Sequence, residues 1–276
     1  MTMKLMYTIA RQELTINMRN TWTVIFTVVF GLLVTGISYF GLMAEGFAGM
    51  DNFTRTSASI LNLVLYIIPL VALTMGTLSF TGDKGATELL FSQPVSRREV
   101  YCGKLLGLFS SIAISILIGF TLSGILIILV TGTDGMLSYL SFVVLSLALA
   151  FIFLVLAVLI STLNRRKPRA FGIALFCWFF FVLFYDLLVL GFSLLLHGQT
   201  SNYFLFYSLI GNPVDLVRVA SLILLDNATV FGPAGAALLR FTGGITSSIV
   251  ILTSALLLWI AVPLHFSIRM LNHQDL

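Results

Sequence analysis

Six apolar stretches divide this chain, each long enough to cross a bilayer as a helix, and they fix its class before anything else is read. They lie near 22–43, 58–80, 105–131, 138–163, 170–197 and 245–268. A hydrocarbon core about 30 Å thick takes about 20 helical residues to span, and a barrel strand only about half as many. Inside lipid the backbone has no water to bond, so a spanning segment is a helix or part of a closed barrel. These lengths exclude barrel strands. Only 9% of the residues are charged and 59% are hydrophobic, whereas a soluble domain carries roughly 25% charged residues. A chain this apolar cannot clothe itself for water. The expected fold is an all-α membrane protein, a single transmembrane domain over 1–276 with six transmembrane helices.

The first twenty residues do not read as a signal peptide. They carry Arg11, Glu13 and Arg19, and the apolar run after Trp22 is too long for a signal core. Leu5, Met6, Ile9 and Ile16 alternate with polar residues at roughly helical spacing. That suits an N-terminal amphipathic helix on the membrane surface, in contact with membrane lipids; a polar leader is the alternative.

A net charge of +4 could suggest nucleic acid in a soluble protein. Here position explains it. Lys4, Arg11 and Arg19 precede the first span, while Lys84, Arg97, Arg98 and Lys104 fall between the second and third. Arg165, Arg166, Lys167 and Arg169 fall between the fourth and fifth, and Arg269 follows the sixth. The loops at the other ends hold only Arg55, Arg218 and Arg240, a split of twelve to three. The positive-inside rule then places both termini in the cytoplasm, in the cell's inner membrane, and no nucleic-acid partner is expected. Cys102 and Cys177 lie too far apart in this topology to form a disulfide, and neither has metal-ligand spacing with a histidine.

The last loop, His197 to Gly244, is long and not plainly polar. Ser201 to Ile210 is apolar but too short to span. Asn212-Pro213-Val214-Asp215 then reads as a helix start, with Asn as cap, Pro at the first helical position and Asp near the positive end of the dipole. The apolar run from Leu216 to Leu225, broken by Arg218 and Ser221, is expected to be re-entrant or packed at the interface before the last span. Gly232-Pro233-Ala234-Gly235 marks a turn. Pro69 and Pro263 fall inside spans and should kink them. Gly103 and Gly107 make a small-xxx-small face for close helix contact.

Little in the chain could carry chemistry of its own. Gly103-Lys104 is followed by Leu105 and preceded by Arg98 where a phosphate loop needs its first glycine, so ATP is not bound through that motif. The histidines, His197, His265 and His273, stand at or beyond span ends, with no nucleophile elbow. No enzyme activity and no bound cofactor are expected. Asp186 is the one acid deep in a span, beside Tyr185. A charge at a helix centre costs roughly 2.5–3.5 kcal/mol on insertion scales, so it must face protein or water. Two readings stay open: a pathway or gating residue, or an acid hydrogen-bonded to a neighbouring helix. No partner for it is evident except Tyr185, which points to an adjacent face.

The polar island from Thr81 to Lys104 stands out against the surrounding hydrocarbon and suggests a docking surface for a soluble partner. Asp83, Gly85, Leu89-Leu90, Pro94, Arg97-Arg98 and Gly103-Lys104 resemble the first cytoplasmic loop of ABC-2 type permeases, the membrane subunits of one class of ABC exporters. Ala86, followed by Thr87, departs from the family's usual Gly-Thr, and the acidic cluster is thin. The resemblance implies an ATPase-coupling loop containing Asp83, Lys84, Gly85, Glu88, Pro94, Arg97, Arg98 and Lys104. It also implies a cytoplasmic ABC ATPase that binds ATP and Mg2+, and a second copy of this chain. Within the family, Trp178, Phe184, Asp186-Leu187 and the outer segment Asn212, Pro213, Asp215 and Leu216 are similar to the permease type that works in maturation of nitrous oxide reductase. That likeness adds a periplasmic beta-helical protein and a copper chaperone to the expected partners. The task is then export, or metal or sulfur delivery for copper-site assembly. Soft ligands suit Cu(I), and Met43, Met50 and Met136 lie near the outer face, although methionine is also an ordinary membrane filler. The alternatives are an ABC-2 exporter of another small molecule or ion, an ion-coupled secondary transporter, or a scaffold. A secondary transporter should carry more intramembrane charge than Asp186, and no internal repeat supports it.

Overall fold

The computed structural model describes residues 2–43, 50–81, 96–133, 135–164, 166–196, 199–225, 238 and 241–273. The described residues are almost all helical, with no strand among them. A short helix α1 (Thr2–Met18) leads into the spans α2 (Thr21–Met43), α3 (Met50–Thr81), α4 (Arg97–Thr131) and α5 (Met136–Leu163). The fifth span, Lys167–Leu195, is α6 (Lys167–Phe179), a π-helical turn (Phe180–Phe184) and α7 (Tyr185–Leu195). After it come α8 (Gln199–Gly211) and α9 (Pro213–Leu224), bent by 104° at Asn212, and then the last span, α10 (Ile245–His273). Six helices are long and apolar enough to cross a membrane, as the sequence predicts.

The central helix is α5. It has no charged residue and is apolar all round, the pattern of a helix enclosed by others. Phe142, Leu149, Ala150, Ile152, Phe153, Leu154 and Val155 are fully enclosed, and α3, α4, α9 and α10 pack around it. Lipid tails are as apolar as leucine, so helices in a membrane are held by close packing rather than by the hydrophobic effect. Small residues supply that closeness on α4. Gly103, Gly107, Ser111, Ser115, Gly119 and Ser123 recur every fourth residue and all are buried. The α1 helix sits on Gly103 and Gly107 so tightly that a Cβ at position 107 would lie 2.5 Å from the Ala10 carbonyl oxygen and 2.7 Å from Glu13 Cβ. Further along the same stripe, Thr27 of α2 donates to Ser115 at 2.7 Å, Gly119 faces Phe30 and Gly31, and Ser38 bonds Ser123. Part of the apolar side of α1, around Met6 and Ile9, therefore rests on α4, while Ile16 stays exposed.

The last span runs on to His273, past the expected 268, and two helices start eight residues earlier than the sequence reading places them. The first is α4, which begins at Arg97, not 105. Ser96 is its N-cap, its hydroxyl accepting from the Glu99 amide at 3.3 Å, with Glu99 in the first turn. Ser96-Arg97-Arg98-Glu99 has the spacing of a capping box, which starts a helix wherever it precedes a helical run. Arg97, Arg98 and Lys104 thus ride on the first turns of a span rather than on a loop. The second is α3, which starts at Met50, so residues 50–57, read as loop, are helical.

Candidate functional site

Asp186 has a partner after all, and it comes from the re-entrant hairpin. Arg218 Nη1 on α9 donates to Asp186 Oδ2 at 2.8 Å and to Asp215 Oδ1, three residues back on its own helix, at 2.7 Å. Two carboxylates share one guanidinium, a formal charge of −1 inside an otherwise apolar assembly. An isolated charge at this depth would be costly, and a charge-assisted pair offsets that cost. The sequence reading placed Arg218 among the outer-loop charges and saw only Tyr185 beside Asp186. The signal it passed over is chemical: two opposite charges interrupting apolar helices have few partners besides each other.

The geometry follows from three local events. The first is the π turn. Tyr185 N–H donates to the Phe180 carbonyl instead of Phe181, so the Phe181 carbonyl loses its usual helical donor. The second is Asn212, which is fully buried. Its Oδ1 caps α9 by accepting from the Val214 amide at 3.0 Å, and its Nδ2 donates to the freed Phe181 carbonyl and to Asp215 Oδ2, each at 3.0 Å. One side chain thereby starts α9, completes the π turn and orients Asp215. The third is the end of α8. Pro213 has no N–H, so the last carbonyls of α8 need other donors, because water cannot reach them in lipid. Tyr185 OH donates to the Ser208 carbonyl at 2.7 Å, and the Trp259 indole of α10 donates to the Ile210 carbonyl at 3.0 Å. A Cβ on Gly211 would collide with the Tyr185 hydroxyl. The cap, the proline and the acid of the 212–215 segment stand as the sequence predicts. Gly211, Arg218 and Trp259 join them unpredicted.

Trp178 lies near the middle of the same span, just before the π turn, and donates its indole N–H to the Tyr66 carbonyl of α3 at 2.9 Å, one turn before Pro69. Phe184 is exposed on the far side of the π turn. The spacing of Trp178, Phe184 and Asp186 thus marks the two sides of a helix break.

A second constellation gathers where α3 ends and α4 begins. Glu13 of α1 accepts from Asn17 Nδ2 and from the Ser79 hydroxyl of α3, each at 3.0 Å. Lys104 Nζ donates to the Ser79 carbonyl at 2.8 Å and lies 5.5 Å from the centre of the Phe80 ring. Three helices therefore meet at the root of the polar island. Asp83, Lys84, Gly85, Glu88 and Pro94 lie outside the described residues, as do His197 and the Gly232–Gly235 turn. Among the described residues no cluster of three His, Cys, Asp or Glu could hold a metal ion. Met43 and Met136 are exposed, each at the end of its helix away from α1.

Comparison with known proteins agrees with this architecture. The family described as ABC-2 family transporter protein matches residues 7–276. A Pseudomonas aeruginosa protein named Probable ABC transporter permease protein NosY is 35% identical over 236 residues, covering 83% of this chain and 86% of the relative. A Stutzerimonas stutzeri protein of the same name is 33% identical over 270 residues, covering 95% of this chain and 96% of the relative. Six apolar helices, a polar island between the second and third of them, and a sequence match along nearly the whole length lead to one conclusion: this multi-pass membrane chain belongs to the ABC-2 family of ABC transporter permeases.

Proposed function

We propose that this permease works as a homodimer with a cytoplasmic ABC ATPase, and that ATP hydrolysis in the ATPase drives delivery of metal or sulfur for copper-site assembly of nitrous oxide reductase. The observation that carries this reading is the end-to-end similarity to two proteins named NosY, joined to the likeness of Trp178, Phe184, Asp186 and Asn212–Leu216 to the permease type of that maturation system. ATP and Mg2+ belong to the partner chain, consistent with the lack of a phosphate loop here. A beta-helical partner and a copper chaperone on the outer face would receive or supply the cargo.

Drive from the ATPase enters at the polar island 83–104. Its descending side ends on Ser79 and its ascending side begins on Arg97 and Lys104. The bonds among Ser79, Lys104 and Glu13 tie α1, α3 and α4 together there, so a push on the island moves three helices as one. The exposed Arg98 on the first turn of α4 offers charge to an acidic docking surface.

The test is a double charge reversal, Arg97→Glu with Arg98→Glu, in membranes holding this chain and its candidate ATPase. Loss of complex formation or of stimulated ATP hydrolysis, with insertion intact, is expected. An inserted variant with unchanged partner binding and ATP turnover would reduce these arginines to topology signals and remove the coupling role.

A further inference from the structure

The two halves of the fifth span are anchored very differently. In α6, Ala170 and Ala174 are fully buried, Trp178 is bonded to α3, and Val182 of the π turn is 2% exposed. Beyond the turn, α7 has no buried residue at all, and Leu187, Leu194 and Leu195 are 65–74% exposed. Its ties to the hairpin include the Tyr185–Ser208 hydrogen bond, the Asp186–Arg218 ion pair and a ring contact between Phe192 and Phe204. Both polar ties sit in its first turn.

That first turn adjoins a break in the hydrogen-bond ladder, and breaks of this kind are where helices bend. The pivot itself is held: Phe181 is bonded to Asn212, which is fully buried and starts the core-packed helix α9. Val214, Leu216 and Val217 of α9 are fully enclosed, so α9 stays with the core when α7 moves.

We infer that α7 is a hinged arm that swings about the π turn Phe180–Phe184, and that the shared guanidinium of Arg218 is its latch. The reason is the asymmetry of the pair. Arg218 and Asp215 are on one helix, so when α7 leaves, the guanidinium keeps a carboxylate at 2.7 Å and is never stranded. An arginine with Asp186 as its sole partner would be left as a lone charge in lipid, at a much larger cost. Of the three charged groups opening bares one only, Asp186, already the most open at 38%, against 26% for Arg218 and 14% for Asp215; it also releases the Tyr185 hydroxyl from the Ser208 carbonyl. A lone carboxylate requires water, so the cleft opened between α7 and the α8–α9 hairpin is a wet one, lined by Asp186, Arg218 and Asp215. It lies in the half of the membrane away from α1. This arm rests on the permease reading for its driving force, and the latch itself does not depend on that reading.

The experiment replaces Cys102 and Cys177 by alanine and places a probe at Val189→Cys, half-buried one turn beyond Asp186. Its reaction with a charged methanethiosulfonate is followed in membranes containing the full chain alone. Asp186→Asn is expected to speed labelling roughly tenfold, the effect of losing about one charge-assisted hydrogen bond. Arg218→Gln should do likewise. Asp215→Asn should not, since Arg218 then belongs wholly to Asp186. Unchanged labelling in Asp186→Asn, or equal acceleration in Asp215→Asn, overturns the latch. Should Asp186→Asn fail to insert, the triple change Asp186→Asn, Arg218→Gln and Asp215→Asn, which leaves no charge unpaired, takes its place under the same criterion. Adding the ATPase and ATP to the unmutated latch should alter the rate. Latch variants that behave as expected while ATP has no effect support the hinge and count against the coupling reading.

Discussion

Replacing Asn212 tests the account of the site at its most connected residue. Asn212→Ala removes three hydrogen bonds made by one fully buried side chain. Loss of an N-cap costs about 1 kcal/mol. Stranding the Phe181 carbonyl inside the protein costs about 1–3 kcal/mol, and losing a bond to the charged Asp215 about 1.5–3 kcal/mol. These contributions share a side chain and do not add fully, so a destabilisation of about 3–4 kcal/mol is expected. That is roughly a several-hundred-fold change in the unfolding constant. Asn212→Asp separates the parts. Aspartate caps as well as asparagine in water, yet here its second oxygen would face the Phe181 carbonyl and the Asp215 carboxylate, acceptor against acceptor. The Asp variant is therefore expected to be no more stable than Ala. Reversible unfolding in mixed micelles, followed by tryptophan fluorescence, measures both. An Asp variant as stable as the parent, or an Ala loss below about 1 kcal/mol, would show that the cap alone matters and that the π turn does not depend on Asn212.

Gly107→Ala should lift α1 from α4, since the new methyl meets the Ala10 carbonyl oxygen at 2.5 Å, backbone that cannot step aside. Overpacking of this kind typically costs about 1–3 kcal/mol, and faster proteolysis near Arg11 with the spans intact is the expected readout. Tyr185→Phe deletes the donor to the Ser208 carbonyl and should cost about 1–3 kcal/mol in the same micelle assay. Single cysteines at positions 134 and 167 should react with impermeant reagents from outside and inside respectively, as the twelve-to-three basic asymmetry requires. The reverse pattern would overturn the orientation.

The sequence by itself determined the spans, because lipid thickness sets a length that each segment must meet locally. It also determined the start of α9, since a cap and its proline act within three residues of each other. The start of α4 was equally legible in Ser96-Arg97-Arg98-Glu99, although the charge of that stretch drew the eye to a loop. The small residues Gly103 and Gly107 announced a close contact but not its occupant, because a notch on one helix carries no name for the helix that fills it. Only the tertiary structure decided that α1 takes that seat. It likewise decided the partner of Asp186, since Arg218 lies 32 residues on and reaches it only after the chain bends by 104° at Asn212. A buried charge states in sequence that a partner must exist. Which residue answers depends on how helices already committed to the membrane pack, and apolar faces of nearly equal hydropathy leave that choice to shape.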